Sequence, residues 1–103
     1  MYQNPNVIHY SSLLEAEHAV AKGDPKRAQQ HYQAAIEHAE QRNLLQDNAI
    51  ARERYGDFLG SLGSLPEAHQ QWFQAYTLFQ QWGALGKAAH LASKRKLASS
   101  PAS

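Results

Sequence analysis

The chain of 103 residues lacks several features that would point to redox, covalent or membrane chemistry. It contains no cysteine, which excludes disulfide bonds, thiolate metal sites and a cysteine nucleophile. No apolar run approaches the ~20 residues that a membrane-spanning helix needs, and the first residues do not resemble a secretory signal. We therefore expect one small cytoplasmic domain that does not associate with membranes.

β-Branched residues are also scarce. Valine, isoleucine and threonine together number only six, whereas alanine occurs 17 times and leucine and glutamine 11 times each. Strands favour β-branched residues, and helices favour alanine, leucine and glutamine. The composition therefore predicts an all-α fold.

Prolines, glycines and capping residues divide the chain into five predicted helices. Their expected spans are about 5–22, 25–42, 45–62, 65–82 and 84–97. Asp24 is the expected N-cap of the second helix, and Pro25 follows it at the first helical position. A glycine or asparagine follows each of the first four helices and can end it. We place one domain at residues 4–97 and expect residues 98–103 to be a frayed tail.

A shift of 40 residues superposes similar residues in the two halves of the chain. Few positions are identical, but size and polarity agree where packing would demand it. The superposed pairs are Ala16/Gly56, Gly23/Gly63, Ala28/Ala68, Tyr32/Trp72, Ala35/Ala75, Ile36/Tyr76 and Ala39/Phe79. The pattern predicts two helix-turn-helix units in which the second helix packs through one face. The predicted packing residues are Ala28, Tyr32 and Ala35 in the first unit, and Ala68, Trp72 and Ala75 in the second. A fifth helix closes the array with Leu85, Ala88 and Leu91 directed inward.

Two glycines fall inside the third predicted helix, Gly56 and Gly60. Each is unfavourable there by ~1 kcal/mol relative to alanine. We expect them to mark a close backbone contact with a neighbouring helix.

The repeated pattern resembles a known family. The segment Gly23-Asp24-Pro25-x-x-Ala28-x-x-x-Tyr32-x-x-Ala35 resembles the centre of a tetratricopeptide (TPR) repeat, and Gly63, Ala68, Trp72 and Ala75 resemble a second copy. The usual repeat has ~34 residues, fewer than the period of this chain. The resemblance implies a TPR-like α–α superhelix of two repeats with a C-terminal capping helix. It also implies a non-catalytic protein–protein interaction module.

The residues around the repeats narrow this resemblance. Asn4-Pro5-Asn6, His9-Tyr10 and Leu13-Leu14-Glu15-Ala16-Glu17 precede the first repeat centre, and Tyr76, Trp82-Gly83-Ala84, Lys87 and Leu91 accompany the second. Together they resemble the TPR segment of large hybrid sensor kinases that also contain a predicted ATPase region. This implies a scaffold or regulatory segment in signal transduction. No segment resembles a kinase or ATPase motif, so phosphoryl transfer is not implied.

In the TPR family, the first helix of each unit lines a concave groove. The resemblance implies these groove positions: Tyr10, Leu13, Glu17 and Val20, then Ile50, Glu53, Asp57 and Gly60. Their spacing places each set on one helical face. The face carries three acids and no base, which favours a basic or apolar peptide partner. Alternatively, the acids are ordinary surface residues that pair locally with Arg54 or Lys22.

Aromatic residues are concentrated in the fourth predicted helix. The period assigns Trp72, Tyr76 and Phe79 to the core. Phe73 and Trp82 point elsewhere, either against the fifth helix or into an exposed patch that meets a neighbour.

Residue patterns typical of catalysis and metal binding are missing. The six histidines include no pair spaced four residues apart, and the chain has neither HExxH nor a glycine-rich phosphate loop. Residues 68–103 contain four bases and no acid. These bases complement the dipole at the end of the last helix; the alternative is a patch that binds nucleic acid. We expect no enzyme activity, no cofactor, no metal and no nucleic-acid partner.

Helix one is apolar around its circumference, with Val7, Ile8, Tyr10 and Leu14 on different sides. Repeat arrays normally need about three units, and here no earlier helix covers helix one. We therefore expect a homodimer, or a larger oligomer, through helix one. The alternative function is then that of a small self-associating structural or regulatory protein.

Overall fold

The computed structural model describes the backbone of residues 5–97 and the side chains of residues 12–97. In this range the elements are α1 (Pro5–Ala21), α2 (Pro25–Gln41), α3 (Leu45–Ser61), α4 (Leu65–Trp82) and α5 (Leu85–Arg95). All of them are helices, so the all-α prediction is confirmed. The ends lie within two residues of the predicted ones, which is the usual uncertainty of a helix boundary.

The helices begin 20 residues apart, because the first four have nearly equal lengths and the same turn follows each of them. The residues Gly23, Asn43, Gly63 and Gly83 all have positive φ, between 56° and 97°. After each of them, the next amide donates to a carbonyl five residues earlier, at 2.8–3.0 Å. This is the 6→1 bond of a Schellman motif, which ends a helix and turns the chain sharply. Consecutive helices therefore pack side by side in opposite directions.

Asp24 caps the start of α2 as predicted. Its Oδ1 accepts a hydrogen bond from the Arg27 backbone amide at 3.2 Å, and Pro25 occupies the first turn, where its missing N–H has no helical partner. Ser64 stands in the equivalent place before α4, but its side chain makes no capping bond.

Each helix packs against the next one along the chain, and α1 also contacts α3. The core lies between these neighbours. All six predicted packing residues are buried: Ala28, Tyr32, Ala35, Ala68, Trp72 and Ala75. Four of the six are alanines, whose small side chains let adjacent helices approach closely.

Trp72 occupies the space that two glycines leave on α3. A Cβ atom on Gly56 would lie 2.5 Å from both Cδ1 and Nε1 of the Trp72 indole, and one on Gly60 would lie 3.3 Å from its Cη2. The neighbouring helix at these glycines is α4, and the close contact is made by its Trp72 side chain rather than by its backbone.

Four large apolar residues of α4 and α5 lie at the surface, among them Leu65, which is 53% exposed. Leu85, which we expected to point inward, is 65% exposed, because it is the first residue of α5 and the buried face begins one turn later at Ala88. Phe73 and Trp82 are each 48% exposed, so the structure favours the exposed patch over packing beneath α5. Among the described residues, no helix combines the length and apolarity that crossing a membrane requires.

Candidate functional site

A groove lies between α1 and α3, where sequence analysis placed the partner-binding residues. It contains a cleft of about 320 Å³ lined by Glu17, Val20, Tyr32, Arg54, Asp57, Phe58 and Ser61. A second cavity of about 230 Å³ shares Val20, Phe58 and Ser61 with it and extends to Leu62. We call these two connected spaces the α1–α3 groove.

The other predicted groove residues have different positions. Leu13 is only 4% exposed and belongs to the core, because it shares with Ala16 the face of α1 that packs inward. Ile50 is half-buried against the core, and Glu53 is half-exposed one turn before Asp57. The side chain of Tyr10 lies outside the described residues, as do those of Val7 and Ile8.

Two ion pairs connect the odd-numbered helices α1, α3 and α5. Arg54 of α3 donates to Glu17 of α1 at 2.5 Å, and Arg95 of α5 donates to Asp57 of α3 at 2.5 Å. The 40-residue shift relates Glu17 to Asp57. In each unit this acid therefore pairs with an arginine two helices further along the chain. The acidic face is therefore not without bases. The alternative that Arg54 pairs with one of these acids holds for Glu17, whereas the sequence pattern did not point to the pair between Asp57 and Arg95.

Asp57, Trp72 and Arg95 form a cluster that joins α3, α4 and α5. Trp72 Nε1 donates to Asp57 Oδ1 at 3.0 Å, and Arg95 Nη2 donates to the same oxygen. The Arg95 guanidinium lies 4.5 Å from the centre of the Trp72 ring, within the range of a cation–π interaction. Asp57 thus stabilises the packing of three helices as well as lining the groove.

The first unit has an aromatic version of this cluster. Tyr32 stacks on Tyr55 with ring centres 5.6 Å apart and contacts Phe58 at 5.4 Å. Residue 55 is related to residue 95 by the 40-residue shift. Tyr55 therefore covers Tyr32 as Arg95 covers Trp72, while Tyr32 and Phe58 are the aromatic residues that line the groove.

Arg52 connects three helices at a second cleft, which lies between α2 and α4. Its Nε donates to Asn48 Oδ1 at 2.9 Å, and Nη1 donates to Gln71 Oε1 at 3.1 Å. It also donates to Gln74 of α4 and to Glu40 of α2. Because four acceptors surround this guanidinium, its donors are already engaged within the fold.

The environment of the α1–α3 groove affects two titrating groups. Burial, followed by the negative charge of Glu17, raises the pKa of Tyr32 to about 12. The hydrogen bond that Arg54 donates to the Glu17 carboxylate is the main cause of a raised pKa for Arg54. Tyr32 therefore stays neutral and Arg54 stays charged over the neutral pH range.

Alkaline pH is expected to destabilise the fold through Tyr32. Because its pKa is higher in the folded chain than the ordinary value of 10, its contribution to stability is complete below pH 10 and is lost as pH rises towards 12. Urea unfolding of the wild type and Tyr32→Phe at several pH values between 8 and 12 measures this effect. The difference between the two proteins should change only above pH 10; a difference independent of pH would contradict the assignment.

Within residues 12–97, no three histidine or acidic side chains are arranged so that they could hold a metal ion. Comparison with known proteins finds no family model, no curated protein and no solved structure that matches this chain.

Proposed function

We propose that this protein is a non-catalytic protein–protein interaction module of tetratricopeptide type, a scaffold or regulatory segment in signal transduction. The observation that carries the proposal is the α1–α3 groove, an open surface between two helices. The regular pairing of helices, the alanines at their contacts and the repeated ion pairs support the repeat assignment. They also make the groove a stiff surface, which lowers the entropic cost of binding.

The chemistry of the groove favours a peptide with apolar residues and at least one lysine or arginine. Val20, Phe58 and Leu62 provide apolar contacts, and both Val20 and Leu62 are exposed. The region of the groove has three negative charges, on Glu17, Glu53 and Asp57, and two positive charges, on Arg54 and Arg95. Its net charge is therefore −1. A basic peptide therefore gains a modest attraction that salt weakens.

A second candidate function is self-association through α1. Leu14 favours it, because this large apolar side chain is 66% exposed on the first helix of the array. A second copy would remove it from water.

Amide NMR during a peptide titration tests the groove. The probe is a 12-residue peptide of leucine and lysine, compared with the same peptide in which glutamate replaces lysine. We expect the lysine peptide to shift the amide signals of Val20, Ser61 and Leu62, and its affinity to fall as salt rises. The glutamate peptide should bind more weakly.

Charge variants separate groove binding from general attraction to the protein. Glu53→Lys combined with Ser61→Lys should weaken binding of the lysine peptide. The control is Glu37→Lys with Gln41→Lys, which changes net charge equally on exposed positions of α2 and should leave binding nearly unchanged. Asp57 is not substituted, because it also holds Trp72 and Arg95. Equal weakening by both variants, or signal changes elsewhere, would contradict the proposal.

A further inference from the structure

The Tyr32 hydroxyl has no hydrogen-bond partner in the part of the chain that the structure describes. Tyr32 is only 3% exposed, yet it lines the cleft of about 320 Å³ in the α1–α3 groove. The adjacent Tyr55 differs, because its hydroxyl accepts a hydrogen bond from Gln33 Nε2 at 3.3 Å. Polar groups of buried residues are normally paired, so the Tyr32 hydroxyl is a polar atom that a ligand in the groove can engage.

The charges that act on this hydroxyl show where it lies. Glu17, Arg54 and Asp57 each alter the pKa of Tyr32, and all three line the same cleft. Since this pKa belongs to the hydroxyl, the hydroxyl lies among these side chains. The two acids raise the pKa and the arginine lowers it, and Glu17 has a larger effect than Arg54. The potential at the hydroxyl is therefore negative, which favours a cation there over an anion.

Both acids of the cleft have a carboxylate oxygen that the fold does not use. Glu17 accepts from Arg54 through Oε2, and Asp57 accepts both of its hydrogen bonds through Oδ1. The other oxygens, Glu17 Oε1 and Asp57 Oδ2, accept no hydrogen bond from the described residues. With the Tyr32 hydroxyl, the cleft therefore offers three acceptors to a ligand.

We propose that this cleft binds the side chain of an unmodified lysine of the partner. A lysine ammonium has three N–H donors and no acceptor, which matches Tyr32 Oη, Glu17 Oε1 and Asp57 Oδ2. The apolar stem of the lysine lies against Val20 and Phe58, which line the same cleft. This inference rests on the function proposed for the α1–α3 groove, and it names the residue that the groove recognises.

Two modifications of lysine distinguish this recognition from simple attraction between charges. Trimethylation keeps the positive charge but removes all three donors, whereas acetylation removes the charge. If the ammonium donates to the three acceptors of the cleft, neither modified side chain can replace it. Acetylation or trimethylation of the partner's lysine would then release the partner from the groove.

Titrations with three peptides test the proposal. Each twelve-residue peptide consists of leucine and serine around one central lysine, which is unmodified, trimethylated or acetylated. Amide NMR of the whole chain gives the affinity, and the signals of Val20, Ser61 and Leu62 give the place of binding. We expect the unmodified peptide to bind at least ~10-fold more tightly than either modified peptide, because the modified side chains lose hydrogen bonds of a charged group. Equal or tighter binding of the trimethylated or the acetylated peptide overturns the proposal.

A pair of tyrosine variants tests the role of the hydroxyl. Tyr32→Phe removes an acceptor of the cleft but no hydrogen bond of the fold, and it should reduce the preference for unmodified over trimethylated lysine. The matched control is Tyr55→Phe, which removes a hydroxyl from the adjacent ring; Tyr55 is not among the residues that line the cleft, so this variant should keep the wild-type preference. Circular dichroism verifies that both variants are folded. If Tyr32→Phe keeps the full preference, the hydroxyl does not recognise the lysine and the proposal is wrong.

The peptide data also separate a failure of this inference from a failure of the proposed function. If all three peptides shift the groove signals with equal affinity, the groove binds peptides but does not recognise unmodified lysine. If none of them shifts these signals at millimolar concentration, the groove is not a binding site and both proposals are wrong.

Discussion

Replacing Trp72 by alanine is expected to destabilise the protein by ~3–5 kcal/mol. The indole is buried between α3 and α5, with Gly56 on one side and Arg95 on the other. Its removal leaves a cavity and deprives Asp57 of a hydrogen-bond donor. Small domains have about 5–15 kcal/mol of stability in total, so this single change should unfold a measurable fraction of the protein at 25 °C.

Urea unfolding followed by circular dichroism measures the loss. The matched control is Trp82→Ala, which removes the same side chain from a half-exposed position, at a protein concentration too low for association. Its cost should be much smaller than that of Trp72→Ala, because less apolar surface is returned to water. Equal losses for the two variants would show that Trp72 does not have the central role assigned to it.

The substitutions Gly56→Ala and Gly86→Ala are expected to change the stability of the fold in opposite directions. The new methyl group at Gly56 would lie 2.5 Å from the Trp72 ring, and the ring is held in place by Asp57 and Arg95. Overpacking of this kind costs ~1–3 kcal/mol, more than the ~1 kcal/mol that alanine gains over glycine in a helix. Gly86 lies in α5 with no atom within 4 Å of an added Cβ, so Gly86→Ala should stabilise the fold by ~0.5–1 kcal/mol.

Thermal unfolding resolves both effects, since 1 kcal/mol changes the melting temperature of a domain this small by ~4–8 °C. A double-mutant cycle isolates the cause. In a Trp72→Ala background, Gly56→Ala should lose its cost, because the ring that opposes the methyl group is absent. If the cost persists in that background, the indole is not its source.

The turns of this protein were predictable because their causes are local. Asp24 and Pro25 define the start of α2 with adjacent residues, and the glycines at 23, 63 and 83 adopt the left-handed conformation that few other residues tolerate. The 40-residue pattern also identified the buried alanines, since a helical period reports which face is apolar. It treated two helices as the repeating unit, whereas the structure shows that the same turn recurs every 20 residues.

The predicted groove was only partly predictable, because a helical period defines a face and not its neighbours. Leu13 and Glu17 are four residues apart, yet Leu13 belongs to the core and Glu17 to the groove. The difference depends on where α2 and α3 pack around α1. The sequence likewise did not decide whether another helix covers Phe73 and Trp82. In the structure α5 does not cover them, and both are half-exposed.

The amino-acid sequence by itself determined the helical class, the helix boundaries and most of the core, since these follow from residues a few positions apart. Only the tertiary structure decided which charges meet. The pairs Glu17–Arg54 and Asp57–Arg95 join residues 37 and 38 positions apart, and Arg52 reaches acceptors on both α2 and α4. Long side chains on a helix surface can reach several neighbours, and their partners are selected only when the packing of whole helices fixes the distances between them.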